Sequence, residues 1–193
     1  FEKGPLSPRF RGDIAESRVR RLLAAGLQRN LYTVFNGLVV PSGGGTTPID
    51  HVVVSKFGIF VIESQYVRGW ISGGEFQEQW KQGLLWRSAR FANPMHRNRV
   101  QAEALQQLLG YPPNVLHRVV VLAGQKGFKT RLPENVLPPE HLLAQVRKKT
   151  RQLLSPEQAD QAIRIISEAR LRSPGGLVVR PLTLLRLLLL LAL

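Results

Sequence analysis

The sequence predicts an α/β fold in which a mixed central β-sheet is flanked by helices. Three observations carry this: two β-branched runs joined by a turn-sized gap at Ser55–Gly58, a nearly continuous apolar run at His117–Ala123, and amphipathic stretches placed before, between and after them. With 193 residues, of which 44% are hydrophobic and 21% charged, the chain can bury one core of its own. No internal repeat is present in it.

The elements follow in order. Asp13 and, three residues later, Glu16 have capping-box spacing, and Ile14, Val19, Leu22, Leu23 and Gly26 share one side of a helical wheel, which predicts a helix over Ile14 to Leu27. Leu31 to Val40 reads as a strand, ended by a flexible loop at Pro41-Ser42-Gly43-Gly44-Gly45. Ile49–Val54 and Ile59–Glu63 read as a hairpin. Shorter β segments are expected around Gly69–Ser72 and Leu84–Arg90, before Asn93-Pro94 opens a helix to about Leu109 that Pro112 and Pro113 stop. The run Arg118–Leu122 is apolar enough to be buried on both faces, which puts it in the centre of the sheet. Two helices follow, over Pro139–Leu153 and Pro156–Leu171, the second opened by Ser155 as N-cap with Gln158 three residues on.

This assigns residues 1–173 to one domain, with a core at about 11–153, and residues 174–193 to a Gly/Pro linker and leucine-rich tail. Leu177 to Leu193 carries Arg180, Pro181 and Arg186 and is shorter than the ~20 mostly apolar residues of a membrane span. It is expected to pack on the core or meet a protein partner, with membrane-surface contact as the second reading. Phe1 to Arg11 holds no apolar run of signal-peptide length, so the expected compartment is the cytoplasm. The absence of cysteine excludes disulfides, thiolate zinc sites and cysteine nucleophiles.

Lys and Arg number 27 against 13 Asp and Glu, a net charge of +14, so a polyanion is the natural partner, nucleic acid ahead of an anionic membrane. Against that background two carboxylates stand out. Glu63 ends a strand whose neighbours Phe60, Val61 and Ile62 are apolar, and Asp50 lies on the neighbouring strand. A buried ionised carboxylate is costly unless it is paired or holds a metal. With a two-residue loop, Lys56-Phe57, Ser55 faces Gly58 and Asp50 lies across from Glu63. A three-residue loop with a bulge at Gly58 sets Asp50 opposite Ser64 instead. In the first register the paired charges would be resolved by a hard divalent cation, Mg2+ or Mn2+. In either register each carboxylate could equally be solvated or paired with an arginine.

Two further signals are set aside. Gly124–Thr130 has Phe128 where a phosphate-binding loop needs its last Gly, so it is read as a basic loop. His51, His96, His117 and His141 lack metal-site spacing, and alternation puts His51 on the face opposite Asp50.

The run Ile49-Asp50-His51-Val52-Val53-Val54-Ser55 with Gly58-Ile59-Phe60-Val61-Ile62-Glu63 resembles the central motif of the nuclease-related domain (NERD) family, a branch of the PD-(D/E)XK nuclease superfamily. Gly12–Glu16, Gly69-Trp70-Ile71, Trp80 and Phe91-Ala92-Asn93-Pro94 agree in order and spacing, so that the resemblance covers about Arg11 to Leu153. It implies a PD-(D/E)XK nuclease-like core and Mg2+- or Mn2+-dependent phosphodiester hydrolysis, with DNA as the expected substrate, Asp50 and Glu63 as metal ligands and Glu16 as the first-helix glutamate. Glu16 also serves as the capping-box residue. Where the family pattern has Glu-x-Lys, this chain has Glu63-Ser64-Gln65. Glutamine can orient the attacking water but brings no positive charge to the transition state. Where the family has a Gln shortly after the Asn-Pro, Arg97 stands here, with Gln101 one turn on. Lys56, Arg68, Lys81 and Arg97 are the candidate phosphate contacts. Gln65 keeps a second class open, a nucleic-acid-binding or scaffold module without catalysis.

Overall fold

A computed structural model describes residues 8–84 and 87–171. The linker and leucine-rich tail at 174–193 lie outside the described residues, as do Phe1 to Ser7. No helix among the described residues is long and apolar enough to cross a membrane.

The chain runs α1 (Pro8–Gly26), β1 (Thr33–Ser42), β2 (Gly45–Ser55), β3 (Gly58–Ser72), β4 (Gln79–Leu84), β5 (Arg87–Ala92), α2 (Pro94–Leu109), β6 (Leu116–Phe128), β7 (Val136–Leu137), α3 (Leu142–Arg147) and α4 (Pro156–Leu171), with 3-10 turns at Pro113–Val115 and Pro139–His141. β1 to β5 form an antiparallel meander, while β6 pairs in parallel with β3 and with β7. The mixed sheet is covered on both faces, because its central strands are apolar on both. On one face Val19 and Leu23 of α1, with Leu27 just after it, meet Val53, Phe60, Ile62, Val119 and Val121. On the other, Leu105 and Leu109 of α2 and Ala162 and Ile166 of α4 meet Val52, Val54, Ile59 and Val61.

Several sequence expectations are corrected. α1 begins at Pro8, so Asp13 and Glu16 lie inside the helix and form no capping box; Glu16 instead accepts from Arg20 one turn on at 2.7 Å. Pro41–Gly45 is not a loop: β1 and β2 continue until Ser42 faces Gly45 across Gly43 and Gly44, whose positive φ values of 53° and 86° suit a tight two-residue turn. Gly69–Ser72 belongs to the end of β3, and the segment expected around Leu84–Arg90 is the β4–β5 hairpin. Gly124–Phe128 continues β6 rather than forming a basic loop. The helix expected over Pro139–Leu153 ends at Arg147, and Leu153 and Leu154 donate their N–H groups to the Lys56 carbonyl. By contrast, Ser155 and Gln158 form the reciprocal cap, at 3.2 and 2.8 Å.

The β3 edge explains where a cleft can form. β6 runs along one edge of β3, and β2 and β4 share the other. The β2 ladder ends at the His51–Ile62 pair and the β4 ladder starts at Trp70–Gly83, so that among the described residues no strand pairs with this edge from Glu63 to Gly69. Side chains fill in at both ends of this gap. The Asp50 carboxylate accepts from the Ser64 N–H at 2.8 Å, and the Gln82 amide oxygen accepts from the Arg68 N–H at 2.9 Å.

Candidate active site

Ser55 faces Gly58, so the hairpin loop has two residues and the register is the one that sets Asp50 and Glu63 on the same face. Gly58 allows the turn: its φ is 119°, and a Cβ there would lie 2.7 Å from the Val115 carbonyl oxygen. The Ser55 hydroxyl closes it by donating to the Gly58 carbonyl at 3.1 Å and accepting from the Phe57 N–H at 3.2 Å.

Both carboxylates converge on one cationic group, the Arg97 guanidinium, which lies 3.1 Å from Glu63 Oε1 and 3.7 Å from Asp50 Oδ1. The remaining oxygens are held by neutral donors. Asp50 Oδ2 accepts from the Ser64 N–H and hydroxyl, each at 2.8 Å, and Glu63 Oε2 accepts from the Gln101 amide at 2.7 Å. Gln101 also donates to the Pro48 carbonyl at 3.1 Å, and Asn98 donates to the Val61 carbonyl at 3.0 Å, which ties α2 to both strands of the hairpin. Asn93 caps α2 by accepting from the Met95 N–H at 3.0 Å, while its amide donates to the Glu75 and Gln77 carbonyls at 3.0 and 2.8 Å. That anchors the first turn, and with it Arg97, against the loop between β3 and β4.

Glu63 is 2% exposed. Burial, with the neighbouring Asp50 charge, pushes its pKa up to about 7, against the opposing pull of Arg97 and the Gln101 hydrogen bond. His51 lies on the opposite face, as alternation requires, with Nδ1 2.7 Å from Asn36 Oδ1; burial pushes its pKa down to about 4. A cleft of about 410 Å3 opens beside the pair, lined among others by Gly12, Glu63, Gln65, Tyr66, Gln82 and Arg97.

The sequence-derived candidates separate in space. Asp50, Glu63 and Arg97 come together, with Gln65 on the cleft wall. Glu16 stays ion-paired with Arg20, and among the described residues no group of three or more His, Asp or Glu gathers closely enough to hold a metal. Lys56 sits in the hairpin turn before Gly58, which itself lies five β3 positions and so about 17 Å from Glu63, and its ammonium lies over the Phe57 ring. Arg68 lies over Tyr66 at the cleft margin, 6.0 Å from the ring centroid. Lys81 lines a different cleft with Arg90 and Thr130. Ser64 and Gln101 join the site without having been singled out for it. For Gln101 the signal was already in the sequence, which places it one helical turn beyond Arg97.

A family model described as the nuclease-related domain matches residues 11–123. The chain belongs to the nuclease-related domain family. The matched span starts in α1 and ends in β6, so it contains the whole Asp50–Glu63 hairpin and α2 of this nuclease-related domain. An uncharacterized protein of Bacillus anthracis is 34% identical over 102 residues, which cover 53% of this chain and 48% of that protein. The chain thus spans about half the length of that relative. No solved structure matches at a significant level.

The donor set fits a divalent cation of the magnesium type. Asp50 and Glu63 each turn one oxygen toward a single positive centre, and Mg2+ binds through one or two carboxylates while keeping water or phosphate oxygens elsewhere. The centre they face in this structure is the guanidinium.

Proposed function

We propose that this domain is a metal-dependent nuclease-like hydrolase that cleaves phosphodiester bonds in DNA, with Asp50 and Glu63 holding Mg2+ or Mn2+. The observation that carries the reading is the convergence of two carboxylates, one of them almost fully buried, on a single cationic position at the wall of an open cleft. A bound divalent cation would supply Lewis-acid polarisation of a phosphate oxygen and a lowered pKa for bound water.

The chain's own groups do the rest. Gln101 and Ser64 each hold one carboxylate oxygen, which keeps the other oxygen aimed at the cation position. Gln65, on the wall beside Glu63, orients the attacking water through its amide. Arg97, in the first turn of α2 and half-exposed, would be released from the carboxylates by a bound cation and free to pair with a phosphate. It thereby brings a positive charge that Gln65 lacks.

A second reading has its own support. The guanidinium is already ion-paired with both carboxylates, and with Gln65 this describes a nucleic-acid-binding or scaffold module without catalysis. Plasmid nicking separates the two. Hydrolysis should need Mg2+ or Mn2+, stop with EDTA, and be abolished in folded Asp50→Ala and Glu63→Ala variants. Equal cutting by wild type and both variants would remove the assignment, whereas metal-independent binding without any cutting would select the second reading.

A further inference from the structure

The β4–β5 hairpin and the end of β3 form a wing whose two faces differ. One face carries Ile71, Trp80 and Phe91, which pack with Met95 of α2. The register assigns the residues of the other face: Trp70 pairs with Gly83, Ser72 with Lys81, and Lys81 with Arg90. Directly paired residues of an antiparallel ladder project to the same side, so Trp70, Ser72, Lys81 and Arg90 share this second face. It is open to solvent, with Lys81 and Arg90 exposed and Trp70 46% exposed.

Two features set this face apart from ordinary surface. The first concerns Trp70, whose indole has a glycine on either side. Gly83 is its cross-strand neighbour, and a Cβ on Gly127 of β6 would lie 2.6 Å from Trp70 Cζ3. Only a bare backbone lets the ring lie down over β6, which leaves its outer face as a flat shelf. The second concerns charge. Lys81 and Arg90 are cross-strand neighbours of like sign, which repel. Among the described residues neither has an ion-pair partner, although Glu75 and Glu78 lie in the adjoining loop. They line a cleft of about 400 Å3 together with Ser72, Gln79 and Thr130, all hydrogen-bonding side chains. Strand geometry puts the Cα atoms of Trp70 and Lys81 about 8 Å apart, within the reach of a base and its own phosphate.

We propose that this face is a binding site for single-stranded nucleic acid, in which an unpaired base stacks on Trp70 and the adjoining phosphates are held by Lys81 and Arg90. Stacking on an exposed aromatic ring requires a base out of its duplex, and two uncompensated cations one step away supply the backbone contact. The site lies on the side of the wing opposite the surface that Phe91 and Gln82 contribute to the carboxylate cleft, so it holds a strand without occupying Asp50 or Glu63. It shares its class of ligand with the nuclease reading but does not depend on hydrolysis.

Fluorescence anisotropy of a labelled dT12 in EDTA tests it, using wild type, Lys81→Gln/Arg90→Gln, Trp70→Leu and Asp50→Asn/Glu63→Gln, each checked for folding by circular dichroism. The double cation variant should bind at least tenfold more weakly, and the slope of log K against log salt should fall by about 1.4, the value for two single-strand phosphates. Trp70→Leu should weaken dT12 several-fold and leave an abasic strand of equal length unaffected. Wild-type affinity and salt slope in the double variant would overturn the proposal, as would equal loss by Trp70→Leu on the abasic strand, or no binding of dT12 by wild type. Loss confined to Asp50→Asn/Glu63→Gln would place the strand in the carboxylate cleft instead. Loss of binding to phosphatidylserine vesicles with dT12 binding intact would identify a membrane surface and overturn it too. Binding as proposed, with no plasmid nicking by wild type, would sink only the hydrolase assignment.

Discussion

Glu63 makes stability depend on pH in a direction that a single substitution exposes. Its folded-state pKa is raised from 4.5 to about 7, first by burial and then by the Asp50 charge. Below pH 4.5 the carboxyl is protonated whether the chain is folded or not, and it costs nothing. Between pH 4.5 and 7 the unfolded chain releases the proton first, so folding is progressively penalised. Above 7 the penalty levels off at roughly 3 kcal/mol, from about 1.36 kcal/mol per pKa unit. Glutamine mimics the protonated carboxyl and leaves an oxygen for the Gln101 amide. Glu63→Gln should therefore stabilise the protein by up to about 3 kcal/mol at pH 8, a rise of roughly 6 to 12 °C in Tm for a chain of this size, and by almost nothing at pH 4.5. The wild-type profile alone would hide this. His51, with its pKa lowered from 6.5 to about 4, has full stability above 6.5 and loses it as pH falls toward 4, the opposite slope over nearly the same window. The informative quantity is the difference in Tm between variant and wild type, measured by circular dichroism melts in EDTA from pH 4.5 to 8. A difference that stays constant over that range, or a variant less stable than wild type at pH 8, would refute the burial argument.

Three further outcomes follow from the same geometry. At pH 8, Mg2+ at about 100 times its Kd should raise wild-type stability by about 2.7 kcal/mol and leave Glu63→Gln almost unmoved; equal shifts would mean that the cation binds elsewhere. Arg97→Gln removes the guanidinium that competes for the carboxylates, an ion pair discounted to about 1 kcal/mol because Arg97 is half-exposed, so Mn2+ affinity by calorimetry should rise about fivefold. Unchanged affinity would show that Arg97 does not hold the cation position. Asn93→Ala removes the α2 cap and frees the carbonyls of Glu75 and Gln77 in a residue that is 2% exposed, and should cost roughly 2 to 3 kcal/mol in urea unfolding; a loss below about 0.5 kcal/mol would mean that the anchor carries little.

The sequence by itself determined the mixed α/β class, the hairpin, the Asn93-Pro94 helix start, the Ser155 cap and the buried run of β6. These depend on local signals: side-chain alternation, a capping side chain a few residues from its target, and Gly at a tight turn. Asp50 and Glu63 stood out as carboxylates beside apolar strand residues, a pattern that fits an arginine partner as well as a metal, and the resemblance to the family motif is what singled them out as a site. The extension of α1 back from Ile14 to Pro8 was not legible, because Glu16 also suits a helix interior when Arg20 stands one turn on. The strand ends at Ser42 and Phe128 were equally hidden, since pairing with a neighbouring strand overrides the weak local preference of Pro and Gly for loops.

Only the tertiary structure decided what the carboxylates meet. The two hairpin registers differ by one residue in the loop, and the folded chain takes the two-residue loop, which the Ser55 hydroxyl closes on the Gly58 carbonyl and the Phe57 N–H. Arg97, Gln101 and Ser64 converge because α2 docks across the hairpin and the β2–β3 ladder ends one pair short of Glu63. Lys56 and Lys81, close to the motif in sequence, are carried away from it by the same strands: one to the far end of β3, the other to the opposite face of the wing. Spacing along a chain fixes faces within an element, but the distance between charges on different elements depends on how those elements pack.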